Sequence, residues 1–153
     1  MTMRRMERRI GWERRAGLVA LGLLVTHPLA AAGTPEFQVI VNPQSAVDHL
    51  DRSFLSRVFL KRVSHWPDGT PIRPADQRAD APVRGRFDED ILGRPVIAVR
   101  NGWQQAIFAG RDVPPPELDS DAAVVEYVLK YPGAIGYVSR DANVKGARIV
   151  EVR

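Results

Sequence analysis

The sequence predicts a small α/β fold: a single three-layer lobe in which a mixed β-sheet is flanked by helices. Three observations predict it. Short apolar runs stand near both ends of the chain, at 36–41, 134–138 and 147–152. The segments between them carry apolar residues at helical rather than alternating spacing. Helices intervening between strands favour parallel pairing, because a parallel partner needs a long crossover, so the sheet should be mixed.

Residues 1–32 stand apart from that fold. Six arginines (Arg4, Arg5, Arg8, Arg9, Arg14 and Arg15) precede the apolar run Ala16 to Val25, and a small-residue stretch ends at Ala30-Ala31-Ala32. A basic start, a short apolar core and an A-x-A ending are the layout of a secretory signal peptide. The apolar core is about half the ~20 residues that a membrane span needs. The reading is therefore a leader over 1–32, one domain over 33–153, and a periplasmic destination.

Setting the leader aside changes the charge argument. The whole chain has 22 basic and 18 acidic residues, of which 1–32 hold six and two, leaving sixteen of each sign. A neutral domain gives no support to a nucleic-acid partner. There is no cysteine, which excludes thiol catalysis, thiolate metal sites and disulfides.

The first strand is "EFQVIV", Glu36 to Val41, halted by Asn42-Pro43. Asp51 or Ser53 caps a helix whose Phe54, Leu55, Val58 and Phe59 share a stripe, ending near Lys61-Arg62. His65 to Pro71 is a turn cluster with Asp68-Gly69 at its tip. Ile72 to Ala75 reads as a short strand, which Pro71 and Pro74 confine to an edge. Asp80 then serves as a helix cap and Pro82 suits the first turn, with Val83, Phe87 and Ile91 facing the core and Gly93 closing the helix. Asp88-Glu89-Asp90 reads as a solvated acidic surface. Pro95 opens the next helix, with Val96, Val99, Trp103 and Ile107 on one side and Gly110 at its end. A stiff "RDVPPPEL" linker leads to Asp119-Ser120, which caps a helix carrying Val124, Val125, Val128 and Leu129. Tyr131-Pro132-Gly133 stops it, and "AIGYV" (134–138) and "ARIVEV" (147–152) are strands.

Catalytic and metal patterns are not apparent. His49 and His65 are separated by a helix and lack ligand partners at metal spacing. No nucleophile–base order, paired-carboxylate spacing or glycine-rich phosphate loop stands out. The expectation is a non-enzyme without cofactor or metal. Trp66 and Trp103 read as core or pocket wall.

Four stretches in order, "VIVNPQSAVDHL", "FLSRVFLKRVSHWPDGTPIRPADQ", "APVRGRFDEDILG" and "YPGAIGYV", resemble the phosphate-binding proteins of bacterial ABC importers. Phe59-Leu60-Lys61 through Trp66 is similar to that family's "IF-G-K-I-x-x-W" pattern, and Pro132 to Tyr137 to its "PGAIGY" strand. The similarity spans about Phe37 to Val138. It implies a lobe of the periplasmic-binding-protein type II kind, as in short single-lobe members. Full-length members have two lobes with an anion in the cleft between them.

The resemblance also implies where an anion would rest. Free amides at a helix start, helped by the helix dipole, are a physical basis for holding an oxyanion. Counted back from Phe87, the family's Arg-Ser-Asp-Gly-Ser-Gly-Thr loop falls on Gln77-Arg78-Ala79-Asp80-Ala81-Pro82-Val83. Both hydroxyl residues are replaced, by Ala81 and Val83, and Pro82 has no N–H to give. The candidate anion-binding set is Gln77, Arg78, Ala81, Val83 and Arg84, with Asn42 and Tyr137 as cleft lining. Two functions follow. One is an exported, non-catalytic solute-binding module taking phosphate or another small oxyanion. It would work beside ABC importer membrane subunits, or with a second lobe or second copy supplying the other wall. The other is a periplasmic accessory or protein-interaction module that keeps the lobe and has lost the anion. In the second, Asp80 is a plain cap, Val83 is core and both arginines are solvated.

Overall fold

The computed structural model describes residues 36–153; the expected leader over 1–32 lies outside them. Five strands form one sheet: β1 (Phe37–Val41), β2 (His49–Leu50), β3 (Arg73–Pro74), β6 (Ala134–Ser139) and β7 (Arg148–Val152), in the order β2-β7-β1-β6-β3. A separate pair joins β4 (Asp76–Gln77) to β5 (Glu117–Leu118). The sheet is mixed: β1 is antiparallel to both β6 and β7, while β2 and β3 run parallel to β7 and β6. β3 lies at an edge, as Pro71 before it and Pro74 within it require. Parallel pairing thus holds for β3 with β6, but not for β1 with β6, although helices intervene in both cases.

Helices cover both faces. The α1 helix (Arg52–Phe59) buries Leu55, Val58 and Phe59, and α2 (Pro82–Phe87) buries Val83 and Phe87. They meet Val39, Val41, Ile135, Tyr137 and Val150 from one side of the sheet. On the other side α4 (Asp121–Lys130) packs Val124, Val125 and Val128 on Ile40, Ala134 and Val138. Successive strand residues point to opposite faces, so a sheet covered twice needs apolar runs instead of alternation. That is why β1 and β6 are apolar almost throughout. Two glycines explain the "PGAIGY" pattern. Gly133 has φ +77°, and a Cβ there would lie 2.1 Å from the Pro71 carbonyl oxygen; one on Gly136 would lie 2.5 Å from Val124.

Ser120 caps α4 as expected, its Oγ accepting from the Ala123 N–H at 3.2 Å. Other elements differ from expectation. Asp80 does not cap α2; the capping position falls on Ala81, whose side chain offers no acceptor. Beyond Phe87 the helix widens into a π-helical turn over Asp88–Leu92 before Gly93 closes it at φ +64°. Within the acidic run, Asp88 is fully buried. The periodicity of 88–90 suggested solvent for all three carboxylates, but the widened turn and the Arg84 side chain draw the first one inward. The α3 helix (Val96–Phe108) forms as expected, yet of its apolar stripe only Val99 is buried. The strands β2, β4 and β5 are two residues each, too short to leave a periodic trace.

Candidate functional site

The loop into α2 is built on a buried ion cluster. The β4 strand places Asp76 and Gln77 inside the molecule, and Arg84 and Asp88 come one helical turn apart on the facing helix. The Arg84 Nη1 donates to the Gln77 carbonyl at 2.6 Å and lies 2.8 Å from Asp76 Oδ1; Nε donates to Asp88 Oδ2 at 3.0 Å. Glu117 on β5 adds a longer ion pair at 3.6 Å. The Tyr137 hydroxyl donates to Asp76 Oδ1, which also accepts the Gln77 N–H at 2.9 Å. Arg84 is only 1% exposed.

Aromatic packing seals the cluster. The Tyr137 ring stacks on Phe87 with centroids 3.8 Å apart, and Phe59 leans on both at 4.7 Å and 5.6 Å. Water is therefore kept away from a guanidinium and two carboxylates. Burial pushes the Asp76 carboxyl up to about 6, against the pull of Arg84 and the Tyr137 hydrogen bond. Burial raises Asp88 as well, opposed by Arg84. The Tyr137 phenol is held above its usual range by burial and by Asp76. Burial works against the Arg84 charge, but its anionic neighbours outweigh that and raise its pKa. Asp88 Oδ1 has no hydrogen-bond partner among the described residues.

The sequence-predicted residues are placed as follows. Gln77, Arg84 and Tyr137 come together in this cluster. The Gln77 side chain is itself occupied, its Nε2 donating to Asp121 Oδ1 at 2.7 Å and to the Tyr137 carbonyl at 3.0 Å. Val83 is core. The Ala81 carbonyl accepts from the amides of Arg84 (3.0 Å) and Gly85 (3.4 Å). Arg78 points outward and forks onto Asp80 with bonds of 3.0 Å and 2.8 Å. Asn42 lies apart from the cluster. Its Nδ2 donates to the carbonyls of Val128 (2.9 Å) and Leu129 (3.3 Å), satisfying the open end of α4. Trp66 is buried with its indole N–H on the Gly133 carbonyl at 3.1 Å, a core role.

Sequence reasoning missed Asp76 and Asp88. The Arg84-to-Asp88 spacing of four residues was a legible signal for an ion pair. Nothing near Asp76 announced its burial, which follows from β4 passing under α2.

The larger grooves lie elsewhere. One of about 360 Å³ is lined by Phe37, Arg52, Arg140, Ile149 and Glu151, and one of about 340 Å³ by Val47, His49, Phe54, Arg57 and Trp66. Among the described residues no group of three or more metal-ligating side chains is placed to hold a metal ion, and no helix is long and apolar enough to cross a membrane.

In fold, these elements are similar to part of the phosphate ABC transporter substrate-binding proteins. No protein-family model matches the chain. Solved structures match it in shape. The PstS protein of Borrelia burgdorferi superposes with a TM-score of 0.59 at 12% identity, covering 77% of this chain and 47% of that one. An ABC-type phosphate transport receptor from Vibrio cholerae gives 0.56 at 16% identity, covering 78% and 48%. A protein from Clostridium perfringens, assigned as a phosphate ABC transporter substrate-binding protein and solved with bound phosphate, gives 0.57 at 16% identity, covering 76% and 44%. The chain thus spans less than half the length of the structures it matches. At these identities the likeness establishes the fold.

Proposed function

We propose that this chain is an exported, non-catalytic binding module of the substrate-binding-protein type that acts by protein contact, its own side chains occupying the oxyanion position at the start of α2. Export rests on the leader pattern over 1–32. The observation that carries the reading is Arg84, the strongest donor near that helix start, buried and bonded to Asp76, Asp88 and the Gln77 carbonyl. A guanidinium neutralised twice has little charge left for a third anion. Removing it from its partners would strand two buried carboxylates, at a cost of about 3–5 kcal/mol. The membrane subunits of an ABC importer are the class of partner that the fold suggests.

Two observations favour a second reading, solute binding. The Arg78–Asp80 fork is solvent-exposed beside the helix start, and the Clostridium perfringens neighbour holds phosphate. Calorimetry of the mature chain with phosphate and sulfate separates the two. The accessory reading expects no saturable heat at millimolar anion. Saturable binding that is lost in Arg78→Ala would replace it with the solute-binding reading.

A further inference from the structure

The α3 helix is apolar on more than one side, with no Asp or Glu and Arg100 as its one charge. Helices of that kind are ordinarily buried. Here Val99 alone is buried; Ile97 is 62% exposed, Ile107 49% and Phe108 89%. The stripe Val96, Val99, Trp103 and Ile107, spaced to face a core, finds one only at Val99. Between α3 and the end of α1 runs a groove of about 190 Å³, lined by Leu60, Arg62, Arg94, Val99, Trp103 and Ala106. Its floor is apolar and its rim is basic. Arg62, Arg94 and Arg100 form no ion pair among the described residues.

We propose that this face of α3 docks an acidic, amphipathic helix of a protein partner, with an apolar side chain in the groove beside Trp103 and carboxylates against Arg62 and Arg94. Three arguments select that occupant. The unpaired arginines around an apolar floor call for carboxylates around an apolar ridge, which also steers encounter. A helix face offers no free backbone ladder to an incoming strand, whereas two helices pack ridge into groove. A second copy presenting the same α3 would bring arginines against arginines, the self-complementary arrangement that like charges disfavour. A lipid surface would accept side chains that protrude into it and would leave the concave groove unfilled. The inference builds on the protein-contact reading but does not require the position at α2 to be closed, so the phosphate calorimetry above can fail without touching it.

The test uses the full mature chain and a capped synthetic helix with Leu at i, i+3, i+4 and i+7 and Glu on both flanks, beside the same helix with Lys for Glu. The acidic helix should bind at least about tenfold more tightly at low salt, with the gap closing as salt is added. Its binding should shift the Trp103 indole N–H resonance. Arg62→Glu with Arg94→Glu should invert the preference. Trp103→Ala, with an unchanged melting curve, should weaken the acidic helix by at least about tenfold. Equal binding of the two helices, or shifts confined to other surfaces, would overturn the proposal. So would self-association abolished by Trp103→Ala, or binding to anionic vesicles that Trp103→Ala abolishes while neither helix binds.

Discussion

The two consecutive helical segments α2 and α3 carry similar patterns and meet opposite fates. The Val83, Phe87 and Ile91 stripe is buried in full, whereas of Val96, Val99, Trp103 and Ile107 only Val99 is. The arginines divide the same way. Arg84 lies among carboxylates inside the molecule, and Arg62, Arg94 and Arg100 have no acidic partner among the described residues. The difference is what lies opposite. The α2 segment faces the sheet and the Phe59 and Tyr137 rings, while α3 extends past them. Apolar spacing states that a face wants cover; it does not state that this chain supplies it.

The comparison can be broken most sharply at Arg84. Arg84→Met should cost about 3–5 kcal/mol of unfolding free energy, since it strands buried carboxylates. Urea denaturation followed by circular dichroism measures it. Combining Arg84→Met with Asp76→Asn and Asp88→Asn should recover much of the loss. A triple variant as weak as the single one would show that packing, not charge, holds the region.

Asn42→Ala should cost about 1–3 kcal/mol, because the Val128 and Leu129 carbonyls lose their buried donor. The same titration reads it.

Acidity sharpens the comparison next. The Asp76 carboxyl sits at about 6 in the folded chain and near its ordinary 3.8 when unfolded, and Asp88 is raised too. Between those values the folded state holds protons that the unfolded state lacks. Lowering the pH through 6 toward 4 therefore adds stability. The exposed Asp68, Asp112 and Glu151 are lowered and act oppositely, but only toward and below their own ordinary values. The urea midpoint should rise from pH 7 to pH 5, and Asp76→Asn should flatten that slope.

On the α3 side the effects should be the smallest. Phe108→Ser and Ile97→Ser should each change stability by less than about 0.5 kcal/mol, the range of surface positions. A thermal melt checks this, and a loss comparable to that at Arg84 would mean that α3 is covered in solution.

The candidate site was only partly legible. The resemblance led to Gln77, Arg84 and Tyr137, and the structure brings these together around Asp76. Their partners were hidden because β4 is two residues long and Asp76 lies 61 residues from Tyr137 in sequence. Asp88 was read as solvated from its neighbours Glu89 and Asp90. Its burial depends on a π-helical turn, which leaves no mark in a pattern of period 3.6.

By itself the sequence determined the presence of the three longer strands, the stripes of α1, α2 and α4, the Ser120 cap and the glycine stops, because each follows from a residue's own backbone preference or from spacing within one element. Only the tertiary structure decided that Arg84 would be buried among acids and that α3 would be covered only in part. Charge partners and cover come from segments distant in the chain, and no local pattern carries their positions.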